Sequence, residues 1–535
     1  MARKGSRKTR SGCITCKIRR VKCDESKPSC NRCIDSGRKC DGYLPTTWPR
    51  AHHILRPNVP TSYMEPLEGR AMAFFRTRAA LSLSGLHDPR FWTSSVLQLS
   101  QSQSAVRHAI IALGSIYEDF TRRGKFIKQL QSNQFALRHY NMAIQHVQKE
   151  NDAAIVVVVC IIFICIEFLQ GDQEQGLIHT QHGINLLATA HITDSELKDQ
   201  LAWIIQRLRM LPLLYQKAVQ APELHLDLTV PAEISSIDAA ERLVNKLHIA
   251  VVKAMIAYRY ASASGQPISD ELLPFATLLQ NHLSCLRLAY RALHQEESHT
   301  CVEDARKAYL IMQIEICELS CDRILPPQEE PLLEQHHDKF RSIVRMAERV
   351  RHMIRPHSET SSEPYFWLEP TYIRFLFALV TNCRDLAIRL RALDLMRDRS
   401  WGCEGLCDGK KMYQRARRLV EVEHGLVLNQ NDNPVGPVAW DRVPSKENRV
   451  LQVIYNAGGF IRTKVNGETI IGAPESFLMS DSNGRLFLQT EFVLVDSDSG
   501  LGGTELVQLE RSIRGPWKKA WERSSEELNA VYPSK

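Results

Sequence analysis

Between Leu67 and Leu428 apolar side chains recur at helical spacing. Phe74, Phe75, Leu81 and Leu83 open the pattern. Val106, Ile110, Leu113 and Tyr117 then follow at intervals of four, three and four, which places them in one stripe on a helix. The segment Tyr140 to Val147 leads through a polar break into the run AAIVVVVCIIFICI, after which Gly171, Leu177, Ile184 and Leu187 resume the period. This pattern predicts consecutive antiparallel helix pairs with Gly and Pro at the joints. Stretches rich in Asp, Glu, Gln and Pro near 264–274 and 326–336 read as inter-helix loops, and no strict 34-residue repeat is present. The apolar run, residues 153–166, is shorter than the roughly 20 residues a bilayer span needs and meets Glu167, so it predicts a buried helix and no membrane segment.

The period changes after residue 430. Val450 to Tyr455, Phe460 to Val465, Glu468 to Ile471 and Arg485 to Val495 alternate as short strands do. Asn466-Gly467 between two of them is a strong hairpin signal. A terminal helix is expected around Trp517 to Leu528. The other end lacks periodicity altogether. Residues 41–66 carry Pro45, Pro49, Pro57, Pro60 and Pro66, which predicts an extended linker. The chain therefore divides into a basic arm at 1–12, a cysteine module at 13–42, a proline-rich linker at 43–66, a helical domain at 67–430 and a C-terminal region at 431–535. The expected fold class is mainly α, with short β segments at the C-terminus.

Charge is placed as unevenly as apolarity. Residues 1–40 hold 13 Lys/Arg against 3 Asp/Glu, leaving 55 against 57 in the rest of the 535-residue chain. A basic head on a near-neutral body implies a polyanionic partner for the head. The charges at the start have no apolar segment behind them, so no secretory signal is expected. In a reducing compartment, closely spaced cysteines are metal ligands more readily than disulfides.

Six of the 15 cysteines fall at Cys13, Cys16, Cys23, Cys30, Cys33 and Cys40, in the order C-x2-C-x6-C-x6-C-x2-C-x6-C. This is C-x2-C-x6-C written twice. A closed structural zinc site takes four tetrahedral ligands, with sulfur at about 2.3 Å. Six thiolates satisfy two Zn2+ ions only if two of them bridge. The pseudo-repeat nominates the first cysteine of each half, so one ion would be held by Cys13, Cys16, Cys23 and Cys30, the other by Cys30, Cys33, Cys40 and Cys13. A module this small has almost no apolar core, and metal binding must supply its folding free energy, on the order of 10 kcal/mol or more per site.

This spacing resembles the fungal Zn2Cys6 binuclear cluster family at every ligand position. Lys17-Ile18-Arg19-Arg20-Val21-Lys22 matches the family's basic stretch, and Pro28 its turn between two helices. The resemblance covers about 30 residues. It implies a nuclear, sequence-specific regulator of RNA polymerase II genes that presents the end of its first helix to the major groove of double-stranded DNA and reads a CGG triplet. Carried over, Arg19 and Arg20 are the base-contact candidates, with Arg20 favoured. Arginine can bond bidentately to guanine O6 and N7; many family members have lysine here. Lys17 and Lys22 read as phosphate contacts, which position without specifying. Arg3, Lys4, Arg7, Lys8 and Arg10 form a basic arm suited to phosphate contacts or nuclear import. A zinc module used only for folding would not need four basic residues in one short helix.

Residues 41–66 lack the apolar heptads that dimeric members carry after the cluster, which leaves open single-site binding or a homodimer through the helical domain. Phe74-Phe75-Arg76-Thr77-Arg78, Leu83-Ser84-Gly85, Asp88-Pro89-Arg90-Phe91-Trp92, Leu97-Gln98-Leu99-Ser100 and Ala105-Val106-Arg107-His108-Ala109-Ile110 resemble the all-helical fungal-specific regulatory domain found behind many such clusters. That implies a regulatory role and contacts with the transcription machinery or co-regulators. The chain has no G-x-S-x-G, H-E-x-x-H or Walker motif, and no enzymatic activity is expected. Cys317 with Cys321, and Cys403 with Cys407, are four apart and would each share a helix face, as ordinary cysteines. The pairs His52-His53 and His336-His337 read as solvated.

Overall fold

The computed structural model describes residues 15–16, 21, 23–24, 26, 30–37 and 40 at the N-terminal end. It then describes 65–123, 133–189, 192–215, 222–264, 268–295, 301–325, 336–354, 364–369, 372–436, 443–445 and 448–450, and strand segments between 452 and 512. The chain forms two compact units, one of residues 1–60 with 298–304, the other of the remainder. The His52-His53 pair, the Asn466-Gly467 turn and the expected terminal helix lie outside the described residues.

The larger unit is built mainly of helices around three apolar interiors. The first forms on Ser104–Arg123, whose predicted stripe of Val106, Ile110, Leu113 and Tyr117 is entirely buried. This helix pairs with Gln134–Val147 and packs on Ala153–Gln170. The last is the apolar run, extended by four residues past Ile166. Among the described residues it is the one helix long and apolar enough to cross a bilayer, and it is instead the buried centre of this interior. Asp152 caps its start by accepting the Ala154 N–H, and Gly171 ends it with a left-handed φ of 72° that no branched residue adopts cheaply. Glu167 does not interrupt it, because the Tyr140 hydroxyl donates to its carboxylate at 2.8 Å.

The second interior lies between helices His337–Ile354, Tyr372–Asn382, Leu386–Asp398 and Gly409–His424. The third lies between the long helices Ile237–Ser264 and Leu272–Gln295. Helix Cys301–Asp322 serves both: Ala308, Met312, Ile316 and Leu319 face the second, whereas Leu310, Ile314, Cys317 and Cys321 face the third. Cys317 and Cys321 do share a helix face, and burial pushes both thiols well up from their ordinary range.

The structure corrects three expectations for the helical domain. Two π-helical turns, Phe75–Ala79 and Phe91–Ser95, interrupt the first helices. At each, a threonine hydroxyl competes for an acceptor one turn back, Thr77 on the Ala73 carbonyl and Thr93 on that of Pro89. Second, a small sheet stands among the helices: Phe366–Trp367 pairs in parallel with Cys403–Glu404, which turns back antiparallel into Cys407–Asp408. Cys403 and Cys407 therefore sit on adjacent strands, not on a helix face. From the first strand into Leu368, just past its end, the side chains alternate, Phe366 and Leu368 entering the first interior and Trp367 the second. Third, the His336-His337 pair is only partly exposed. His336 lies 3.2 Å from the Asp322 carboxylate and His337 3.4 Å from that of Asp385, which ties the start of a helix to two neighbours.

The C-terminal strands occur as a five-stranded antiparallel sheet: Gln452–Tyr455, Ile461–Val465, Glu468–Ser480, Leu486–Leu494 and Leu506–Ser512. Val465 pairs with Glu468, which leaves a two-residue connection. Strand 468–480 runs nine residues beyond its expected end at Ile471. Its first half pairs with 461–465 and its second half with 452–455, while 486–494 covers the other edge. Phe477 and Met479 are buried in the second helical interior, so this sheet is part of the larger unit.

Candidate metal centre and nucleic-acid interface

Among the described residues the interior of the smaller unit is made of sulfur: those buried are Cys16, Cys23, Cys30 and Cys33, with Cys40 packed against them, while the aliphatic Val21 and Ile34 are exposed. Local hydrogen bonds explain how the chain brings distant cysteines together. Cys30 is the N-cap of the short helix Asn31–Asp35, and its sulfur accepts the Cys33 N–H at 3.3 Å. The C-x-x-C pair of the second half thus faces one side. The Cys30 N–H in turn points to the Cys40 sulfur at 3.4 Å, and the Val21 N–H returns to the Cys16 carbonyl at 3.1 Å.

Two triplets of sulfurs result. Cys16, Cys23 and Cys30 lie within 4.8 Å of one another, and so do Cys30, Cys33 and Cys40. Cys30 belongs to both. The separation of Cys16 and Cys30 is 3.6 Å, against roughly 3.8 Å for two sulfurs at 2.3 Å from a tetrahedral zinc. The donor set fits zinc in kind and in spacing. The N–H groups aimed at the Cys30 and Cys40 sulfurs are the outer partners that favour thiolate over thiol.

The predicted site residues divide clearly. Cys16, Cys23, Cys30, Cys33 and Cys40 converge. Cys13, and the basic residues Lys17, Arg19, Arg20 and Lys22, lie outside the described residues. A second set escaped the sequence reading. The Asp24 carboxylate accepts the Asn31 N–H at 3.0 Å and the Ser26 hydroxyl at 2.8 Å, and the Asn31 side chain returns to Ser26 at 3.1 Å. The Ser26 hydroxyl, with the Asn31 N–H, holds the Asp24 carboxyl below its usual range. These bonds latch the residue after Cys23 to the residue after Cys30 and fix the two halves in register. Asp24 and Asn31, each placed directly after a ligand cysteine, were the signal.

The chain carries the two domains of the fungal Zn2Cys6 transcription regulators. Residues 11–48 match the fungal Zn(2)-Cys(6) binuclear cluster domain, whose cofactor is two zinc ions, and residues 71–240 match the fungal specific transcription factor domain. Among its relatives, the aspercryptin biosynthesis cluster-specific transcription regulator atnN of Emericella nidulans is 32% identical over 220 residues, 34% of this chain and 35% of the relative. The Zn(2)-C6 fungal-type transcription factor afumD of Aspergillus fumigatus is 30% identical over 122 residues, 21% of this chain and 33% of the relative. An uncharacterized transcriptional regulatory protein of Schizosaccharomyces pombe is 52% identical over 60 residues, 11% of each chain. The chain thus aligns with about a third or less of these relatives' lengths. No solved structure matches it.

Proposed function

We propose that this protein is a nuclear, sequence-specific DNA-binding regulator of RNA polymerase II genes, which reads a CGG-type triplet through its zinc module. The observation that carries the reading is the pair of sulfur triplets sharing Cys30, inside the stretch that matches the binuclear cluster domain. In this reading Cys13 completes both sets: Cys13, Cys16, Cys23 and Cys30 hold one ion, and Cys30, Cys33, Cys40 and Cys13 the other. Bound zinc supplies the crosslinks that an absent apolar core cannot. The protein's own residues do the recognition. Arg20, and Arg19 beside it, bond guanine edges in the major groove. Lys17, Lys22 and the arm at 1–12 neutralise phosphates. The helical domain, 67–430, regulates this activity through a homodimer contact or co-regulators. The matched domains are those of transcription regulators, and the proposed role requires no catalysis.

The test is selection of bound sites from random duplexes by the full-length protein, with zinc counted in the same preparation. Two zinc ions per chain and an enriched CGG triplet are expected. Two zinc ions without any enriched sequence would make the module a scaffold and end the DNA-reading proposal.

A further inference from the structure

A cavity of about 580 Å³ opens in the larger unit where helices Gln173–Thr189, Ser195–Leu208, Met210–Tyr215 and Ile237–Ser264 meet the extended segment 222–230. Its size falls within the range of small-molecule sites, roughly 300–1,000 Å³. The floor is hydrocarbon: Ile184, Leu187, Ile205, Ile249 and Ala250. The rim is cationic. Arg209 stands at the end of one helix, and Lys246 and Lys253 stand two turns apart on another, with Ile249 and Ala250 between them on the same face. Among the described residues Asp227 is the one carboxylate that lines the cavity. Among the described residues Arg209 and Lys246, both exposed, form no ion pair, whereas Arg207, two residues earlier, is paired with Glu369 at 2.6 Å.

An apolar floor under unpaired cations is complementary to one kind of molecule. A neutral apolar ligand would leave the cations unanswered, and a highly charged polyanion would not use the floor. We infer that this cavity binds an amphipathic carboxylate, its hydrocarbon body against Ile205, Ile249 and Ala250 and its head between Arg209 and Lys246. This is a site for a small molecule in the helical domain, independent of the DNA-reading proposal and beyond it.

Calorimetric titration of the full-length protein with dodecanoate, kept below its micellar concentration, tests this. Saturable binding at one site is expected, with dodecylammonium of equal length weaker by about tenfold or more, since a hydrogen bond to a charged head accounts for that much. Arg209→Glu and Lys246→Glu should each weaken dodecanoate by a similar factor. Ala202→Trp, at an exposed position on the lining, should block entry while leaving the melting temperature of the unliganded protein in place. Absence of saturable binding overturns the inference. So does equal affinity for the two head groups, or dodecanoate binding that Ala202→Trp leaves intact. Gel shifts of the same variants on CGG duplex keep the two readings apart: unchanged shifts are expected whichever way the calorimetry falls.

Discussion

The two units of this protein reach a fixed shape by opposite means. In the larger one, Phe168, Ile162 and their neighbours on helix Ala153–Gln170 are sealed from water, and the hydrophobic effect holds the backbone at about 25 cal/mol per Å² buried. In the smaller one the aliphatic residues Val21 and Ile34 face solvent while the sulfurs turn inward. A handful of small thiols bury too little apolar area to hold a fold, so the order there comes from coordination and from bonds such as those of Asp24. One unit is therefore sensitive to side-chain volume and the other to ligand count.

Removing zinc with a chelator should produce the largest difference. Duplex binding is expected to vanish while the cooperative melt of the larger unit stays within a degree or two. Cys30→Ser should do the same in one step, since that sulfur is shared by both triplets, whereas Cys16→Ser should retain one ion. Zinc content by mass spectrometry and calorimetric melting read both halves; a chelated protein whose main transition collapses would erase the contrast. The converse lies in the body. Phe168→Ala should cost about 3–5 kcal/mol of its stability by opening a cavity. Arg389→Met should cost a similar amount, because the fully buried Arg389 pairs with buried Glu423 and the substitution strands that charge. Glu423 also accepts the Val450 N–H at 2.7 Å, so loosening of the C-terminal sheet should follow. Neither variant should change zinc content, as elemental analysis would check.

How much of this was legible follows from the same contrast. The cysteine spacing named its chemistry because ligand geometry is strict and local. The stripe on Ser104–Arg123 and the run at 153–166 named helices because their period is strong. The π-turns and the strand at 366–367 were hidden: two residues carry no period, and that strand is defined by partners beyond it, such as the Tyr117 hydroxyl that accepts the Phe366 N–H at 2.9 Å. The strand expected from Glu468 ends at Ile471, and Pro474 just beyond it is a residue that rarely sits inside a ladder. The structure tolerates it because Ala473 and Pro474 fall between the last partner in 461–465 and the first in 452–455, where that edge has no bond to lose. Strand Leu506–Ser512 was missed because Glu510 and Arg511 make it half polar, as suits an edge.

Smaller effects sharpen the comparison further. Within the head, Arg20→Ala is expected to weaken a CGG duplex by roughly 1–3 kcal/mol more than a scrambled one, while Lys22→Ala weakens both alike. Equal losses for Arg20→Ala in a competition gel shift would remove its base-reading role. Within the body, His87 tests a proton. Burial and the Arg207 charge push its pKa down, but Glu369 at 3.1 Å and Glu241 prevail and hold it above the ordinary value. A raised histidine stabilises fully below about pH 6.5 and loses that contribution as pH climbs through the folded value. Glu241 runs the other way: despite burial, His87 and Arg306 hold it down to about 2. Its contribution is present above about pH 4.5 and fades with acid. The melting temperature should therefore drift down as pH rises above about 6.5, and His87→Gln should flatten that drift. Parallel slopes for the two proteins would show that no proton is linked there.

The segment that sends Phe366 and Leu368 one way and Trp367 the other has a thermodynamic consequence. Three consecutive residues lodged in two hydrophobic compartments cannot leave one without vacating the other. The compartments are thereby fastened at a common rivet, and the helical body should denature in a single step, with no stable half-folded form in which one compartment outlives its neighbour.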